Sequence, residues 1–94
     1  IGVIVPNAIL SKSNATKVAS MAHDGYARVI RPAHTMADGD TIFALSTGEV
    51  GATVDVVGLL GAIAGGKAVK NAIKNSRSLY GYPCHLDIYK KMGK

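Results

Sequence analysis

The sequence predicts a mixed α/β fold that forms part of a larger sheet-and-helix body, and three observations carry that expectation. The chain opens on a β-branched run, Ile1-Gly2-Val3-Ile4-Val5, that reads as a buried strand. Apolar residues spaced three and four apart, from Ala15 through Val18, Ala22 and Tyr26 to Ile30, define an amphipathic helix over 13–30. A second long helix, over 52–77, is apolar on every side through its first half, and one other helix with two short strands cannot enclose it.

Taken in order, the first strand spans 1–5 and is stopped by Pro6-Asn7. Ser13 is a candidate N-cap for the first helix. Arg31-Pro32 closes that helix, because the residue before a proline is pushed out of the α region. The loop 33–40 holds His34, Thr35, Asp38, Gly39 and Asp40, and it leads into a second strand, TIFALS, over 41–46. In the second helix Gly58, Gly61 and Gly65 allow close approach of a neighbouring backbone, although each costs about 1 kcal/mol of helix propensity relative to Ala. Its later half sets Ala68, Val69, Ala72 and Ile73 against Lys67, Lys70, Lys74 and Arg77. Residues 78–94 carry turn chemistry at Gly81 and Pro83 and end as a basic tail with Lys90, Lys91 and Lys94. The whole of 1–94 is read as a single small unit, a fragment of a larger domain, without internal repeats.

Composition narrows the class. Hydrophobic residues make up 48% and charged residues 18%, which is the balance of a packed chain and not of a disordered one. The net charge of +5 is unevenly placed: residues 1–66 carry four Lys/Arg against five Asp/Glu (−1), and residues 67–94 carry seven against one (+6). Such a basic end is either a solvated helix face or a docking surface for an acidic partner, nucleic acid or anionic lipid. The solvated face is the expectation, with neither nucleic acid nor a membrane as partner. The longest apolar run, 56–66, is eleven residues, short of the roughly 20 that span a bilayer. Cys84 is the sole cysteine, so no internal disulfide and no cysteine-based zinc cluster forms. With no signal-peptide pattern at the start, a cytoplasmic location is expected.

Asp38-Gly39-Asp40 is the sharpest chemical feature. Two carboxylates two residues apart, in a loop entering a buried strand, suit orienting an amine or sharing a proton; an Asp-Gly turn introducing the strand fits the same residues. It is not a calcium loop, since Ile42 falls at the fifth position and no glycine at the sixth. His23 lies within the helix and reads as structural, whereas His34, beside the Asp pair and Thr35, reads equally as structural or functional. His85 beside Cys84 has no metal-site spacing, and Ser46-Thr47-Gly48-Glu49 lacks the G-x-S-x-G of a nucleophile elbow. No phosphate-binding or dinucleotide-binding glycine loop and no H-E-x-x-H occurs, so neither cofactor nor metal is implied.

These residues carry a resemblance. Over about residues 1–66, and most distinctively in MAHDGYARVIRPAHTMADGDTIFALSTG, the sequence resembles the small C-terminal chain of the S58 peptidase family. That family includes L-aminopeptidase/D-esterases, β-peptidyl aminopeptidases and nylon-oligomer endo-hydrolases. The resemblance implies an αββα sandwich of the N-terminal-nucleophile type, completed by a separate large chain from the same precursor. The precursor cuts itself before a Ser or Thr, which then attacks amide or ester carbonyls with its own α-amine, titrating near pH ~8, as base. Relatives of the nylon-hydrolase type place a pair of threonines immediately before an Ile-Gly-Val stretch, so the nucleophile is expected just before Ile1, outside this chain. Asp38 and Asp40 are then the expected catalytic pair, orienting groups and managing protons without attacking. Their Asp-Gly-Asp pattern resembles the nylon-hydrolase branch, whereas the aminopeptidase branch tends to carry Ser and Glu there. The implied partners are the large chain, further copies of that heterodimer, and a small amide, peptide or polyamide substrate. The alternative is a non-enzymatic basic module that binds an acidic partner through residues 67–94. The catalytic reading makes one geometric demand: strands 1–5 and 41–46 must be neighbours, with the loop 33–40 returning over the N-terminal end of the first.

Overall fold

A computed structural model describes residues 1–93; Lys94, the last residue of the expected tail, lies outside the described residues. The order is β1 (Gly2–Ile4), α1 (Lys12–Val29), β2 (Ile42–Ala44), α2 (Val54–Lys74) and α3 (His85–Lys91). Among the described residues the chain is mixed α/β, with a two-stranded sheet and three helices.

β1 and β2 pair in parallel, with Gly2 opposite Ile42, Val3 opposite Phe43 and Ile4 opposite Ala44. The regular strands are shorter than 1–5 and 41–46, yet the pairing continues past them. Leu45 N–H donates to the Ile4 carbonyl at 2.9 Å, Thr47 N–H to Pro6 at 3.0 Å, Glu49 N–H to Asn7 at 2.7 Å and Ile9 N–H to Val50 at 2.7 Å. Pro6 has no N–H and only accepts, which is why the ladder loses its regular form there.

α1 begins one residue before the expected boundary. Its cap is Ser11, not Ser13: the Ser11 hydroxyl accepts from the Asn14 N–H at 3.2 Å, and the Ser13 hydroxyl hydrogen-bonds Ser11 at 3.2 Å. The stripe read from the sequence is the face that α1 buries, with Val18, Ala22, Gly25 and Tyr26 innermost. α2 starts at Val54 and not at 52, because Thr53 caps it through the Val56 N–H at 3.4 Å, and Asp55 favours the positive end of the helix dipole. It ends at Lys74 and not at 77. The Asn75 amide bonds the Asn71 carbonyl at 2.8 Å and the Ser76 hydroxyl bonds that of Ile73 at 2.7 Å, so side chains satisfy the last carbonyls that further helix would have used.

Residues 78–94 are not only a turn and tail. Leu79 and Tyr82 exchange backbone bonds around a turn with Tyr80 and Gly81 at positive φ, and α3 follows Pro83. Asp87 reaches back to the Cys84 N–H at 3.2 Å, a capping interaction that starts this seven-residue helix.

α1 and α2 pack through small residues. A side chain on Gly25 would strike the Ala62 carbonyl, and Gly58 lies directly beneath Met21. Ala8, Val18 and Val57 form the centre of the core, with Ile4, Leu10 and Val54 against it. The helices cover one face of the sheet. The other face is bare: Val3 is 54% exposed and Phe43 55%. The radius of gyration is 15.8 Å, against about 12 Å for a closed globule of this length. Most of α2's apolar surface is open too, including Leu59, Leu60 and Ile63. By length and composition α2 is apolar enough to cross a bilayer, which the eleven-residue run did not bring out, and it lays a glycine face on α1.

Candidate active site

The first part of the geometric demand set by the sequence, that the two strands be neighbours, is met. Parallel pairing puts both strands' N-terminal ends together, and the Gly2 N–H donates to the Thr41 carbonyl at 2.8 Å. Adjacent strands lie about 4.8 Å apart. The loop carrying Asp38 and Asp40 therefore ends beside the head of β1.

Within this loop each carboxylate is held by local donors. Asp38 Oδ2 accepts from the Thr35 N–H at 3.1 Å, and the Asp38 N–H returns a bond to the Thr35 carbonyl at 3.1 Å. Asp40 Oδ2 lies 3.0 Å from His34 Nδ1 and accepts from the His34 N–H at 3.3 Å. These bonds occupy Oδ2 of both residues and do not use Oδ1. The Thr35 N–H, with its side chain next, lowers the Asp38 carboxyl below its ordinary value of 3.8, so Asp38 is ionised at neutral pH.

His34 adopts a positive φ of 59°, a conformation His enters more readily than most residues. Its ring lies 5.0 Å from that of His23 on α1, and His23 in turn meets Tyr26 edge-on at 5.6 Å. His23 packs against both rings, and its Nδ1 is enclosed without a hydrogen-bond partner among the described residues.

One residue of this region was not singled out in the sequence. Tyr26 belongs to the α1 stripe, yet its hydroxyl sits directly over Gly2, where a Cβ would overlap it. Nothing in the spacing marks a polar tip on an apolar stripe as aimed at the head of a strand. Tyr26 also lines an open groove of about 700 Å³ between β1 and α2, together with residues such as Ile4, Leu60, Ala64 and Val69 and with no charged side chain. Ser46 is structural: its hydroxyl bonds the Ala8 carbonyl and ties the two strand extensions together. No group of three His, Cys, Asp or Glu side chains converges on a metal position among the described residues.

Two carboxylates held by local donors thus stand in the loop that enters the shared end of two parallel strands. The chain belongs to peptidase family S58, whose profile matches residues 1–81. It is 38% identical over 104 residues to an uncharacterized aminopeptidase of Mycobacterium tuberculosis, strain H37Rv, and equally to one of Mycobacterium bovis; each alignment covers 95% of this chain and 30% of the relative. An uncharacterized aminopeptidase of Mycobacterium leprae is 58% identical over 53 residues, 56% of this chain and 15% of that protein. The chain thus spans about 30% of the length of the first of these relatives. No solved structure matches.

Proposed function

We propose that this chain is the small, nucleophile-side part of a self-cleaving hydrolase acting on amide bonds of peptides or polyamide oligomers, with a Ser or Thr just before Ile1 as attacking residue. The observation that carries the reading is the shared strand end, where Gly2 is bonded to Thr41, next in sequence to Asp40. A residue placed before Ile1 stands over the 33–40 loop. Its hydroxyl oxygen attacks the carbonyl carbon and gives its proton to its own α-amine, which passes it to the leaving nitrogen as the C–N bond breaks; water then hydrolyses the ester. Asp38 and Asp40 orient the amine and the hydroxyl. Two bare carboxylates would hold that amine as ammonium, but the Thr35 and His34 donors spread their charge and leave the amine able to act as a base.

The rest of the site, oxyanion donors included, comes in this reading from a large chain of the same precursor. The bare Val3 and Phe43 face, the open α2 surface and the greater length of the relatives support such a partner, which would complete an αββα sandwich. α2 is then an interior helix of a cytoplasmic assembly of several heterodimers. The Asp-Gly-Asp loop favours endo-acting or broad amide hydrolysis, while the relatives' names make peptide amides the first substrates to assay. The basic-module reading is the weaker one, because the family match includes Lys67, Lys70, Lys74 and Arg77. Intact mass spectrometry of the full-length gene product tests the proposal: two chains are expected, the smaller beginning on Ser or Thr just before Ile1. A single uncut chain that hydrolyses amides would contradict it.

A further inference from the structure

We propose that His34 is a positioning residue for Asp40: it clamps Oδ2 from two sides and so leaves Oδ1 as the oxygen presented to the nucleophile. The inference rests on the proposed catalytic role of Asp40 and goes one residue deeper into that site.

Both donors come from one residue. The His34 backbone N–H lies 3.3 Å and its Nδ1 3.0 Å from the same Asp40 oxygen. A single hydrogen bond leaves a carboxylate free to swing about it, whereas two donors fixed in one residue define the plane as well as the position of the group. The positive φ of 59° is the backbone setting that accompanies this two-point grip. The ring also lies at a tilt 5.0 Å from that of His23, which in turn meets Tyr26 edge-on. A neutral His34 must therefore carry its proton on Nδ1 to serve as donor, and its tautomer is set by Asp40. Asp38 is held chiefly by Thr35 instead, through its backbone N–H at 3.1 Å and its side chain. The two carboxylates thus lean on different residues, Asp40 on His34 and Asp38 chiefly on Thr35.

The test uses the full-length precursor with three substitutions. His34→Gly removes the ring while keeping a residue at ease with positive φ, so the loop backbone survives. His34→Asn returns an amide donor near the Nδ1 position on a residue that also tolerates this conformation. Asp40→Asn gauges the parent reading. Self-cleavage is followed on gels, turnover and KM on a peptide amide. His34→Gly is expected to slow both self-cleavage and turnover by about tenfold or more with little change in KM, as a misplaced catalytic group does, and His34→Asn to recover most of that loss. Wild-type rates in His34→Gly alongside a damaged Asp40→Asn would overturn the positioning role alone, as would equal damage in His34→Gly and His34→Asn. An undamaged Asp40→Asn would remove the parent reading and this inference with it.

Discussion

The Gly2 N–H donates to the Thr41 carbonyl at 2.8 Å, and this bond fixes the head of β1 against the residue that follows Asp40. Everything proposed for the site depends on that junction. The Tyr26 hydroxyl crowds it from the helix side, so a Cβ at position 2 requires that hydroxyl to shift. Gly2→Ala is expected to destabilise the processed protein by about 1–3 kcal/mol, the usual cost of overpacking. Tyr26→Phe on that background should recover part of the loss, because the hydroxyl is the nearest obstacle. Thermal melts of the two single variants and the double variant check this; strictly additive losses would mean that the two positions do not touch.

How much of this was legible beforehand varies with the physics involved. The α1 stripe was readable because burial follows the 3.6-residue period, and Val18 and Ala22 are fully covered. The cap was misread since Ser11 and Ser13 are chemically equal candidates and only the path of the chain into the helix decides between them. α3 was missed because its start depends on Asp87 reaching back to Cys84, in a segment whose glycine and proline suggested only a turn. Within the site, Asp38 and Asp40 were visible as a pair, but the division of labour between Thr35 and His34 requires the loop's conformation, which two-residue spacing does not encode.

Two glycines should behave oppositely. At Gly25 a Cβ would meet the Ala62 carbonyl and crowd the Gly66 nitrogen, both backbone atoms that cannot turn aside. Gly25→Ala is therefore expected to separate α1 from α2 and cost about 3 kcal/mol or more. At Gly39, between the two aspartates, a Cβ meets nothing within 4 Å and the φ is not left-handed. Gly39→Ala should change stability by less than about 0.5 kcal/mol. Urea unfolding of both variants measures the contrast, and comparable losses would contradict the helix contact described here.

The Asp38 carboxyl provides a pH test with a defined sign. Its Thr35 hydrogen bonds lower its value in the folded protein below 3.8. A lowered acid contributes stability that is fully present above the unfolded value and is lost as pH falls through the folded one. The loop should therefore stay intact from neutral pH down to about 4 and loosen only below that. A carbon-detected NMR titration of Asp38 should give a midpoint under 3.8, with the Thr35 amide shift moving in parallel. A midpoint above that value would mean the Thr35 bond is not made in solution.

The most direct test of the central claim is a time course of self-cleavage in the full-length precursor carrying Asp38→Asn or Asp40→Asn, set beside amide turnover of whatever mature protein forms. The same hydroxyl is proposed to cut the precursor and to attack the substrate, so loss of a carboxylate that orients it should slow both reactions together. The expected loss is about 10²-fold or more in each. A turn that merely introduces β2 would lose only about 1 kcal/mol of stability on the same substitution, with processing intact. Normal processing and near wild-type turnover in both variants would contradict the assignment of this loop as the catalytic pair.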